Sequence, residues 1–181
     1  PLVVYLPEYY ANDLGLNLSI VGAAFMLVRI ADIMVDPFLG AAMDRSRSRF
    51  GRFRPAMVMG APLLALSTYM LFMAQKGIGP LYLFFWLSVT YFAYSLVVLG
   101  HTAWASVLSA DYNQRSRIYS FWQVGNIVGM LMVLALPTLL ERIYGTSHGQ
   151  GMQSMGWYIV VLLPIAIGIA ARTVGEPILK I

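Results

Sequence analysis

Arg29, Asp32 and Asp36 stand inside the otherwise apolar run of residues 18–43. An ionisable side chain near the bilayer centre costs roughly 2.5–3.5 kcal/mol on insertion scales, so such residues face a protein interior and mark ion or substrate pathways. Positions i, i+3 and i+7 share one helical face, which puts all three residues in a single stripe with the carboxylates one turn apart. Two carboxylates that close cannot both stay ionised away from water without compensating charge. The spacing therefore suits a site for Na⁺, Li⁺ or H⁺, built from hard oxygen ligands or one shared proton, with Arg29 in support. The plainer reading is an Arg–Asp pair that locks two helices together. Pro37 follows Asp36 directly and frees a backbone carbonyl as a further ligand or a hinge, or it only kinks the helix.

Further along, Tyr91, Tyr94, Ser95, His101, Thr102 and Ala105 recur at three- and four-residue steps and give an apolar span one polar face. His101 can hydrogen-bond a hydroxyl-rich ligand or relay a proton, and Tyr94 or Trp104 can stack on a sugar ring; equally, His101 can be a satisfied partner between helices. Gln123 and Asn126 are polar neighbours of Gly125 and Gly129, whose spacing suits close helix contact rather than a site. Gly40, Asp44, Arg45, Arg49, Gly51 and Arg52 punctuate the basic segment 44–54 in an order that charge alone does not explain. Gly40 suits close helix approach, and Asp44 with the arginines suits an ion-pair latch at the membrane face.

The elements that must position these residues follow from composition. Hydrophobic residues make up 59% of the 181, charged residues only 11%, and mean hydropathy is +0.71. A soluble domain carries about a quarter charged residues, so much of this surface must face lipid. Apolar spans are expected at residues 1–11, 18–43, 55–75, 81–110, 118–140 and 154–171, with polar loops at 111–117 and 141–153. In lipid only a helix satisfies its backbone within one segment, so the fold expected is an all-α membrane bundle.

Nine Lys or Arg residues lie in the segments after spans two and four and at the C-terminal end, against Lys76 and Arg142 on the other side. Cytoplasmic loops carry the positive charge, which places those segments inside and the chain in the plasma membrane as a multi-pass protein. The net charge of +4 is thereby explained by orientation, and no nucleic-acid partner is expected. With no Cys, neither disulfides nor thiolate metal sites can form. No cofactor is expected beyond the Na⁺, Li⁺ or H⁺ of this carboxylate pair, and no metal beyond a Na⁺ at Asp32 and Asp36.

The run VRIADIMVDPFLG at residues 28–40, followed by SRFGRFRP at 48–55, resembles the glycoside–pentoside–hexuronide:cation symporter family of the major facilitator superfamily. The resemblance implies the six-helix N-terminal half of such a transporter with its first helix truncated, to be completed by a C-terminal half. It implies cation-coupled symport of a sugar by alternating access. Asp32 and Asp36 match the family's paired helix-two aspartates for the coupling cation. A sugar-contacting aspartate of helix one is expected upstream of Pro1. A second, in helix four, aligns with His101, and a basic residue of helix five aligns near Trp122; both are departures that leave the sugar open. Alternatives on the same fold are a carrier of another amphiphile such as a lysolipid, or a non-transporting receptor or scaffold. A membrane enzyme is the remaining class: Asp32, Asp36, Gly40 and Asp44 are spaced like the metal-binding carboxylates of lipid-headgroup transferases, but Ser48 stands where a further carboxylate is needed.

Overall fold

The computed structural model describes residues 2–45, 53–108, 111–144 and 148–173, and every element among them is helical. The helices are α1 (Leu2–Glu8), α2 (Leu18–Arg45), α3 (Arg54–Phe72), α4 (Pro80–Val107), α5 (Tyr112–Tyr144) and α6 (His148–Thr173). A π-helical stretch, Tyr9–Asp13, continues α1. Helices α2 to α6 are each long and apolar enough to cross a membrane.

Local sequence sets the starts. The Asn17 side chain accepts the Ser19 N–H at 2.8 Å, an N-cap that opens α2. Pro55 and Pro80 stand in the first turns of α3 and α4, where a missing N–H costs nothing. Asp111 accepts the Asn113 N–H on its side chain at 2.7 Å and the Arg115 N–H on its carbonyl at 3.1 Å. This cap starts α5 at Tyr112, so most of the segment 111–117 expected as a loop is helix. Similarly, α5 runs to Tyr144 and α6 begins at His148, leaving little of the loop expected over 141–153. Polarity marks where a helix leaves the lipid, not where it stops, and a capped helix readily projects beyond the membrane.

Helix α3 lies between α4 and α6; α2 packs on α4, and α5 packs on α6 with a lighter contact to α4. Two buried clusters hold this arrangement, one at each end. Leu6, Tyr10, Val21, Phe72, Leu83 and Met155 belong to the first, and Met43, Phe53, Met57, Ala61, Trp104 and Ile167 form the second. A Cβ on Gly60 would come within 2.9 Å of Val97 and 3.2 Å of the Ala93 carbonyl, and one on Gly156 within 2.6 Å of Phe72. These glycines set the approach of α3 to α4 and of α6 to α3. The close contacts expected at Gly40, Gly125 and Gly129 do not occur: a Cβ on any of them would meet nothing within 4 Å among the described residues. Their spacing is right for a helix contact, but their faces turn away from the neighbouring helices.

The last carbonyls of a helix lack partners within it. At the end of α3 they are met by tyrosine hydroxyls. Tyr10 donates to the Leu71 carbonyl at 3.0 Å, Tyr9 to that of Ala74 at 3.2 Å, and Tyr82 to that of Met70 at 2.8 Å. Three hydroxyls, two from the π-helical extension of α1 and one from α4, thus close the buried terminus of α3 and the turn just after it.

Candidate functional site between α2, α4 and α5

Asp32 is buried on the α4 side of α2, only 8% exposed. Arg29 donates to its Oδ2 at 3.0 Å from one turn earlier, and Ser95 of α4 donates to its Oδ1 at 2.9 Å. The Arg29 guanidinium also lies 5.9 Å from the centre of the Tyr91 ring, a cation–π distance. Tyr91 and Ser95 are one turn apart on α4, as Arg29 and Asp32 are on α2, so two parallel ties join the helices. Buried ions need paired charge and satisfied oxygens, and Asp32 has both.

Asp36 is placed differently. It is half-buried, its Oδ1 is shielded from solvent, and that oxygen has no hydrogen-bond partner among the described residues. Arg29 is committed to Asp32. The stripe therefore holds one compensated carboxylate and, a turn further on, one with an uncompensated oxygen. Pro37 beside it is exposed inside α2.

On α4, His101 stacks on Trp122 of α5 with ring centres 5.8 Å apart and planes 28° from parallel. The His101 Nδ1 is buried without a partner among the described residues. One residue on, the Thr102 carbonyl accepts the Tyr119 hydroxyl at 2.9 Å. The two residues that sequence reading marked as departures in separate helices are thus brought together. Gln123 and Asn126 are exposed on α5, next to this contact along the helix. Tyr94 is 49% exposed and points away from the packed core. Trp104 does not share this surface. It is 3% exposed within the cluster around Met57, so its ring is committed to packing between α4 and α3.

Asp44 and Arg45 are exposed at the end of α2. Arg49, Gly51 and Arg52, the rest of the ordered basic motif, lie outside the described residues. Among the described residues no cluster of three or more His, Cys, Asp or Glu forms.

A family model described as MFS/sugar transport protein matches residues 1–178. The chain belongs to this family. Members similar to it include the inner membrane symporter YicJ of Escherichia coli, 30% identical over 163 residues that make up 84% of this chain and 34% of that protein. The uncharacterized symporter YnaJ of Bacillus subtilis is 29% identical, with 87% of this chain and 34% of the relative covered. A lactose permease of Lactobacillus delbrueckii is also 29% identical, over 82% of this chain and 25% of its own length. The chain thus spans between a quarter and about a third of these relatives. The resemblance drawn from residues 28–40 and 48–55 holds, as does the all-helical membrane fold. With five apolar helices of spanning length among the described residues, this family member is an integral, multi-pass membrane protein.

Sequence reading missed Tyr91 as the platform for Arg29 and Ser95 as the α4 partner of Asp32. Both had been placed on the polar face of α4. What was absent was the pairing of α2 with α4, which no local pattern encodes.

Proposed function

We propose that this chain is the N-terminal half of a secondary transporter that moves a sugar together with Na⁺, Li⁺ or H⁺. The observation that carries this reading is the inequality of the two carboxylates on α2. Asp32 is neutralised by Arg29 and held by Ser95, while Asp36 keeps a shielded oxygen without a donor. An anionic oxygen in that position is stabilised by a cation or by a proton. The cation is thus centred on Asp36, with Asp32 as the fixed neighbour that positions α2 against α4. Family membership supports sugar as the cargo, and the names of relatives, a lactose permease and a raffinose carrier protein among them, support glycosides as its class.

The coupling follows from the packing. A cation at Asp36 changes the charge on α2, and α2 is tied to α4 through Asp32–Ser95 and Arg29–Tyr91. Helix α4 carries His101, against which Trp122 of α5 stacks. Binding on α2 therefore changes the standing of the wall that meets the sugar, and by linkage each ligand tightens the other by the same factor. Sugar and cation sit between this half and a second one, which rock about them to give alternating access.

The test is Asp36→Asn in the full-length protein. Cation-stimulated uptake is expected to vanish while membrane insertion persists and weak downhill exchange survives. Uptake by this variant that still rises with an imposed Na⁺ or proton gradient would remove Asp36 from the coupling role.

A further inference from the structure

His101 is half-buried on α4, and its two ring nitrogens stand in different surroundings. Nδ1 is sealed from solvent and has no hydrogen-bond partner among the described residues. Nε2 has no partner among them either, but it is not sealed and reaches open space. That space is polar: Trp122, stacked on the imidazole, lines an open groove together with Ser120 and Gln123. Polar and ionisable side chains in a spanning helix face the bundle interior or a water-filled path, not lipid.

A neutral imidazole carries one N–H, and its surroundings decide which nitrogen holds it. A proton on Nδ1 would bury a donor with no acceptor, and orphaned N–H groups are rarer in folded proteins than unsatisfied acceptors. Protonating both nitrogens would add an unpaired charge, because no carboxylate among the described residues bonds the ring. The N–H therefore belongs on Nε2, which is also the favoured tautomer of free histidine in water. The Trp122 stack, with planes 28° from parallel, holds the imidazole plane and so the direction of this donor. The Tyr119 hydroxyl, donating to the Thr102 carbonyl at 2.9 Å, ties α5 to α4 at the same level.

We propose that His101 selects among sugars by donation alone: its Nε2–H bonds one hydroxyl oxygen of the sugar, and that hydroxyl's own proton is not read. This rests on the sugar-transport reading above and adds which atom of the wall meets the sugar, and in which sense. A neutral Nε2–H cannot accept. A sugar that lacks an acceptor at the facing position leaves the donor unpaired, and one that accepts without donating is tolerated.

The experiment uses the full-length transporter in membrane vesicles, with labelled lactose, raffinose, a methyl xyloside and a phenyl glucuronide as probes. Analogues of a probe that is carried, each with one hydroxyl replaced by hydrogen or by fluorine, compete with it. Fluorine accepts a hydrogen bond and cannot donate one. At one position the deoxy sugar is expected to bind about fivefold more weakly than the parent, and the fluoro sugar within about twofold of it. His101→Phe keeps a ring against Trp122; it should weaken the parent about fivefold and make the deoxy and fluoro sugars equal there. The wild-type comparison stands even if that variant folds poorly. Nitrogen NMR of the wild type, with the His101 signals identified by their loss in His101→Phe, is expected to show the proton on Nε2. A proton on Nδ1 overturns the proposal. So does a fluoro sugar as weak as the deoxy sugar at every position that matters, or a preference that His101→Phe leaves intact. Each of these results leaves sugar transport standing, whereas a wild-type protein that carries none of the four probes sinks that reading and this one with it.

Discussion

Replacing Ser95 with Ala removes the hydroxyl that donates to Asp32 Oδ1 over 2.9 Å at a buried α2–α4 contact. Ala is close to Ser in volume, so little cavity is left, and Arg29 keeps its bond to Oδ2. What disappears is one hydrogen bond to a charged acceptor, for which mutational series give about 1.5–3 kcal/mol. Arg29 is largely exposed and can shift to share the freed oxygen, which argues for the lower half of that range, about 2 kcal/mol. Stability alone does not identify the partner, so the measurement is a double-mutant cycle: Ser95→Ala, Asp32→Ala and the pair, each unfolded at equilibrium in mixed micelles. Residues in direct contact show interaction energies of about 0.5–3 kcal/mol, and distant sites add. The expected coupling is about 2 kcal/mol. Additivity within about 0.5 kcal/mol would mean that Ser95 and Asp32 are not in contact, and the route proposed from α2 to α4 would fail with it.

Two further outcomes bear on the packing and the topology. Gly156→Ala forces a Cβ to within 2.6 Å of Phe72 and should cost about 1–3 kcal/mol in the same unfolding assay. Gly168→Ala on the same helix meets open space and should be neutral or slightly stabilising. Since the chain has no Cys, a single Cys in place of the exposed Asn113 gives a clean topological probe. It is expected to react with an impermeant maleimide only in inverted vesicles, and reaction from the outer face would reverse the orientation.

The spans were legible because lipid imposes one requirement everywhere: an apolar stretch of helical length. Asp32 was legible as a residue with a partner for the same reason, since its cost in hydrocarbon demands one. Which partner it has was not, because Ser95 lies 63 residues away and only the packing of α2 on α4 brings it near. The start of α5 was written in the sequence as Asp111 ahead of a polar first turn, a capping signal outweighed by the polarity of the segment. The glycines illustrate the opposite case. Gly125 and Gly129 have the spacing of a helix contact but face open space, whereas Gly156 makes the tight approach to α3 without such a partner along its own helix. Spacing reports a face, and only tertiary packing decides what lies against it. His101 and Trp122 were each visible as departures from the family pattern, and their stacking emerges only once α4 and α5 are side by side.

The tyrosine closure of α3 has a consequence for biogenesis. When α3 leaves the ribosome, the Met70 carbonyl lacks its donor because Tyr82 is still to be synthesised, and the Leu71 and Ala74 carbonyls gain theirs only once the earlier segment bearing Tyr9 and Tyr10 packs against α3. The end of α3 must therefore stay wetted at the membrane edge until α4 arrives and the outer end of α1 swings onto it. Burial of that terminus reports that α3 has met both the helix that follows it and the segment at the start of the chain. A misthreaded α1 would leave the Leu71 and Ala74 carbonyls without their tyrosine donors.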